Sequence, residues 1–143
     1  MQHIYQNIDG WFSFPSLYTN VVKLFPDNSH FVEIGTWYGR SASYMAVEIA
    51  NSNKKIKFDC IDTWEGSDEH GEELKNGLFE RFQDSIKEYK DRVTICRGFS
   101  GEVLRTFPCK PTFDFIYIDG SHYSKDVLED AILSWRLLKP GGV

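Results

Sequence analysis

The run Phe31-Val-Glu-Ile-Gly-Thr-Trp-Tyr-Gly-Arg-Ser41 leaves a chain few ways to fold. Apolar and β-branched positions lead through Glu33 into two glycines four residues apart, Gly35 and Gly39, and a helical pattern follows. This reads as a buried strand, a tight turn and the first helix of an α/β unit. Glycine is needed where the backbone turns sharply or meets a ligand closely, because a Cβ would clash there. The turn aims the helix's unpaired N–H groups and positive dipole end into the crevice beside it. A nucleotide-like cofactor is the usual occupant of such a crevice.

The rest of the chain extends the same alternation. Residues 14–25 repeat apolar side chains at helical spacing and stop at Pro26-Asp-Asn. Residues 31–35 form the first strand and 40–51 a helix with Ala42, Met45, Ala46 and Ile49 inward. A second strand covers 57–62 and ends on an acid. A polar, acidic loop runs over 63–76, then a helix to about residue 89 and a short strand over 93–96. Gly98-Phe-Ser100 opens a brief helix, 113–118 is a strongly apolar strand ending at Asp119, and 124–138 is a helix closed by Lys139-Pro-Gly-Gly. Strand and helix in alternation predict a Rossmann-like, doubly wound parallel sheet with helices on both faces. Pro140-Gly-Gly-Val143 has the character of a turn into another strand, so the C-terminal strands are expected to be missing. The expected division is an N-terminal helical cap or flap over 1–30 and an incomplete Rossmann-like domain over 31–143.

Size and composition narrow the function classes. A chain of 143 residues, 41% hydrophobic and 26% charged, fits one globular domain with a real core. A net charge of −5 without a basic run argues against a nucleic-acid partner. No stretch approaches the roughly 20 apolar residues that span a bilayer, so no membrane association is expected. The N-terminus lacks the basic and apolar regions of a signal peptide. Cys60, Cys96 and Cys109 are odd in number and lack metal spacing, which reads as reduced thiols in a cytoplasmic protein. His3, His30 and His70 have no partners at metal spacing and are expected to be solvated. The acids between Glu65 and Glu73 read as a solvated loop, with a lid over the cofactor as the alternative. Trp11, Phe12 and Phe14 read as core staples or, alternatively, as a flap over substrate.

In open parallel sheets ligands bind beyond the carboxyl ends of the strands. Four strand ends deliver polar residues or glycine to that edge: Glu33-Ile-Gly35, Asp62-Thr63, Gly98-Phe-Ser100 and Asp119-Gly-Ser-His122. A dinucleotide fingerprint needs G-x-G-x-x-G with an acid about 20 residues on. Here Trp37 stands where the middle glycine should admit the pyrophosphate. Asp62 is still placed to accept hydrogen bonds from ribose hydroxyls. Ribose without pyrophosphate points to S-adenosylmethionine.

The glycine run resembles the first motif of class I S-adenosylmethionine-dependent methyltransferases. It is most similar to the E-x-G-x-x-x-G-x-S form of metal-dependent O-methyltransferases of the catechol and macrocin types. Phe113-Asp-Phe-Ile-Tyr-Ile-Asp119-Gly-Ser-His122-Tyr resembles their fourth-strand motif, and Leu137-Leu-Lys-Pro-Gly-Gly142 the turn before their fifth strand. The resemblance implies that Gly35 and Gly39 let the backbone hug the methionine part of the cofactor, with Trp37 and Ser41 at its edge. Glu33 would hold the cofactor's amino group or order that loop. Asp62 would bind the ribose diol, Thr63 and Trp64 would flank the adenine, and Ser100 would hydrogen-bond it. Asp119 would ligate a divalent cation such as Mg²⁺ or face the methionyl end, and His122 would be the catalytic base.

The expected activity is methyl transfer to a hydroxyl of a small molecule or sugar, with a metal as an optional assistant. The further acidic or amide metal ligands of the resembled enzymes come from a segment after the fifth strand, which has no counterpart here. One alternative is a non-catalytic or fragmentary cofactor-binding module. Another is a nicotinamide-dependent oxidoreductase, which Trp37 disfavours. A bared sheet edge leaves a homodimer open.

Overall fold

A computed structural model of the chain describes residues 1–66, Gly71 and residues 76–143. After a 3₁₀ turn at Tyr5–Asn7 come α1 (Pro15–Leu24), β1 (His30–Ile34), α2 (Arg40–Ser52) and β2 (Lys57–Asp62). Then follow α3 (Leu78–Ile86), a 3₁₀ segment (Lys87–Arg92), β3 (Val93–Arg97), α4 (Ser100–Thr106), β4 (Phe115–Ile118) and α5 (Ser124–Trp135). The four strands form one parallel sheet in the order β3-β2-β1-β4. The doubly wound reading therefore holds.

Strand alternation sorts the core into two layers, because successive side chains leave a strand on opposite faces. Phe31, Phe58, Cys60 and Phe115 point to the face covered by α1, α2 and α3, where they meet Tyr18, Val22, Met45, Ile49, Leu78 and Phe82. Val32, Ile34 and Ile61 point to the other face and meet Leu104 of α4, Leu133 of α5 and Leu137 just after it. The expected inward face of α2 is observed: Ala42, Met45 and Ala46 are fully buried and Ile49 is 1% exposed.

Two boundaries move for a clear reason. Phe113 and Leu138 lie before β4 and after α5 and form a parallel bridge with each other. The Lys139 N–H donates to the Phe113 carbonyl at 2.9 Å, and the Phe113 N–H to the Leu137 carbonyl at 2.9 Å. The chain must leave the helix at Trp135 to make these bonds, so α5 is shorter than its apolar pattern. Val143 then donates to the Asp114 carbonyl and accepts from the Ile116 N–H, so it pairs along the outer edge of β4.

Other expectations change. His30 is not solvated: it bonds Asp59 at 2.7 Å with 18% of its side chain exposed. His3 bonds Glu48 at 2.8 Å and stacks on Tyr44. In both cases a nearby carboxylate supplies a partner that linear spacing does not show. His70 and most of the acidic run lie outside the described residues. Among the three N-terminal aromatics only Phe12 packs on the core, while Trp11 is 81% and Phe14 56% exposed. The segment before α1 is fastened to α2 by Arg40, which donates to the carbonyls of Ile8 and Gly10.

Candidate functional site

The chain leaves β1 for α2 on one face and reaches β4 by way of α4 on the other. The crossovers thus diverge between β1 and β4, the switch point where open α/β sheets hold ligands. Backbone bonds bring the strand ends level: the Gly35 N–H donates to Ile61, Gly98 to Asp62 and Asp119 to Ile34. Glu33, Asp62 and Asp119 therefore gather at one edge, as the strand endings predict.

The glycine turn has steric causes. Gly35 adopts φ +84°, and a Cβ there would lie 2.2 Å from the Asp119 carbonyl oxygen and 2.5 Å from the Gly120 Cα. The turn is thus pressed against the turn after β4. Gly39, at φ +85°, caps α2.

Trp37 is less expected. It holds φ +49°, and Trp64 holds φ +52°, a left-handed conformation that bulky residues rarely adopt. Asp62 stabilises both. One carboxylate oxygen accepts from the N–H groups of Thr36 at 2.8 Å and Trp37 at 2.9 Å, and the other from the Trp64 N–H at 2.8 Å. The Trp64 indole N–H closes the loop on the Trp37 carbonyl at 3.1 Å. Strained backbone that the surroundings hold this firmly belongs to functional sites more often than to plain turns.

These contacts correct one assignment. Trp64 is 3% exposed and packs its ring on Phe79 and Phe82. Its left-handed backbone turns the indole toward α3, so it is a core residue and not an open flank for an adenine. Thr63 is half-buried, and its hydroxyl accepts from the Glu65 N–H.

Glu33 is 1% exposed, between the Tyr18 hydroxyl on α1 at 2.9 Å and the Ser41 hydroxyl on α2. Burial pushes its carboxyl up to about 8, against the pull of those two hydroxyls; Asp119 and Asp62 push it further in the same direction. Glu33 and Ser41 thus order the loop from behind it. Burial also raises the Cys60 thiol well above its ordinary range, which keeps it protonated.

On the β4 side, Asp119 and His122 are both exposed. Burial of the Asp119 carboxyl raises its pKa, and the charge of His122 lowers it. Tyr117, one strand position pair behind, is raised by burial, then by Asp119 and Glu33. Among the described residues no three His, Cys, Asp or Glu side chains gather as a metal site. Ser100 begins α4 and is half-buried. Residue-type reasoning missed Tyr18, Tyr117 and Asp130. Asp130 carried a signal, since it shares helical spacing with the buried Leu133, Ser134 and Leu137.

An open parallel sheet with a glycine turn and acids at its switch point has the geometry in which α/β domains hold ligands. Comparison with known proteins gives the family. The methyltransferase-domain family model Methyltransf_24 matches residues 32–143, and the chain belongs to that family. A search of curated proteins finds no match. Among solved structures, the cofactor-bound Rv0187 from MTB superposes with a TM-score of 0.69 at 17% identity, over 94% of this chain and 55% of that one. A candidate O-methyltransferase from Klebsiella pneumoniae gives 0.66 at 19% identity, over 95% and 56%. A candidate caffeoyl-CoA O-methyltransferase from Staphylococcus aureus gives 0.64 at 18%, over 96% and 58%. At such identities the likeness is one of fold, and the chain spans little more than half of each of these proteins.

Proposed function

We propose that the chain binds S-adenosylmethionine and transfers its methyl group to a hydroxyl of a small molecule or sugar. The observation that carries this reading is that Asp62 and Asp119 gather at a single strand-end edge, with both raising the carboxyl of the buried Glu33 behind it. Like charges at close range favour a cation between them. A sulfonium with an α-ammonium group meets that demand, whereas the pyrophosphate of a nicotinamide cofactor would oppose it.

The residues divide the work. Gly35 and Gly39 allow the backbone approach, with Trp37 and Ser41 beside it. A carboxylate offers about four acceptor positions. Three at Asp62 serve backbone N–H groups, so it has room for one ribose hydroxyl without giving up a loop bond. Thr63 and Ser100 lie on the adenine side. Transfer is an in-line displacement: an acceptor oxygen bonds the methyl carbon as the carbon–sulfur bond breaks, so alignment supplies most of the rate. The acceptor's proton goes to His122, an imidazole that stands three residues after Asp119 at the exposed end of the fourth strand. Asp119 alone offers too few oxygen ligands for Mg²⁺ among the described residues, and no step is assigned to a metal.

Incubating the chain with methyl-labelled S-adenosylmethionine and a panel of phenols and sugars tests the reading. Label recovered in a methyl ether supports it. S-adenosylhomocysteine binding without label transfer favours a non-catalytic module.

A further inference from the structure

A buried acid that belongs to none of the strand ends lies where three of them meet. Asp130, in the middle of α5, is 3% exposed and shares the buried helix face of Leu133 and Ser134, with the buried Leu137 just beyond the helix. Burying a carboxylate costs several kcal/mol unless it is paired or well hydrogen-bonded. Among the described residues no cation pairs with Asp130, and its helix neighbours Glu129 and Asp126 share its sign. Burial raises its carboxyl, and the Ser100 hydroxyl at the start of α4 pulls it back. An aliphatic side chain would serve the core better at this position, so packing alone does not account for the acid.

Its surroundings supply the account. An Asp130 carboxylate oxygen lies 3.6 Å from where a Cβ of Gly120 would stand, level with an Ile34 methyl at 3.6 Å. The Gly120 Cα in turn is 2.5 Å from where a Cβ of Gly35 would stand. Asp130, Gly120 and Gly35 thus stack from α5 into the cleft. The far end of the same turn is tied down separately, where Ser121 donates to Asp126 at 2.7 Å.

We infer that Asp130 is a positioning residue of the cofactor cleft, setting Ser100 on one side and the Gly120–Gly35 backbone contact on the other. The inference rests on the S-adenosylmethionine reading. It predicts a residue whose removal harms binding more than it harms the fold.

The test is calorimetric titration of S-adenosylhomocysteine into the full chain, beside thermal unfolding of the same variants. Asp130→Leu removes a buried carboxylate and is expected to keep or raise the unfolding temperature while weakening affinity about tenfold or more. Asp130→Asn retains an acceptor for Ser100 and is expected to stay within about threefold of the parent chain. Ser100→Ala added to Asp130→Leu is expected to cost nothing further, because both act through one contact. A folded Asp130→Leu with a smaller loss overturns the inference, and so does an Asp130→Asn as weak as Asp130→Leu. If Asp130→Leu does not fold, Asp130→Ala is read against the same tenfold mark. A parent chain that binds no S-adenosylhomocysteine overturns the cofactor reading itself, which is a separate failure from unchanged binding in the variants.

Discussion

On the β1–β2 side of the cleft, Asp62 accepts three backbone N–H groups and Glu33 sits buried between two hydroxyls, while on the β4 side Asp119 and His122 lie exposed. The first side is fixed before any ligand arrives. Its polar atoms are committed to the loop, and two tryptophans are held in left-handed backbone at its rim. The second side presents an acid and an imidazole that are exposed to solvent. A cofactor that must be placed within tenths of an ångström suits the first kind of wall, and an acceptor that exchanges its proton suits the second.

The largest effect expected is at the seam between the two sides. Gly35→Ala drives a Cβ into the Asp119 carbonyl at 2.2 Å, whereas Gly120→Ala meets nothing closer than 3.6 Å. Denaturant unfolding is expected to show a loss of roughly 3 kcal/mol or more for the first and under about 1 kcal/mol for the second. Equal losses would mean that the turns do not press on each other.

On the exposed side, His122→Ala is expected to slow methyl transfer about 10²-fold or more and to leave S-adenosylhomocysteine affinity unchanged. Single-turnover rates decide this, and an unaltered rate removes the base role. On the fixed side, Asp62→Ala is expected to weaken that affinity by roughly 1–3 kcal/mol, because it frees the loop N–H groups and loses a ribose partner. Unchanged affinity takes Asp62 out of the site.

A further effect is a pH dependence. The Glu33 carboxyl is raised from 4.5 to about 8 in the fold, so the native state holds a proton that the unfolded chain releases. Its contribution to stability is then full below about 4.5 and is lost as pH rises toward about 8. Unfolding free energies of Glu33→Gln should fall less steeply across that window than those of the parent. Parallel pH profiles would place the carboxyl's titration elsewhere.

Much of this arrangement is legible in the sequence, and the reason is period. Alternating apolar positions with acids or glycines at their ends place β1, β2 and β4 and bring Glu33, Asp62 and Asp119 to one edge. Contacts between distant segments are not written in any period. The Trp64 indole looks like a ligand face until the αL backbone turns it onto Phe82. His30 looks solvated until β2 brings Asp59 beside it. Asp130 looks like an ordinary helix acid until its register with Leu133 and Leu137 is set against Gly120. Each depends on a partner that only the assembled sheet supplies.

The central claim is that an acidic, pre-formed cleft takes a cofactor of the S-adenosylmethionine skeleton and not a dinucleotide. Titrating S-adenosylhomocysteine and, separately, NADH into the full chain tests it most directly. Micromolar binding of S-adenosylhomocysteine with no heat from NADH is the predicted result, and NADH binding in the absence of S-adenosylhomocysteine binding would contradict it.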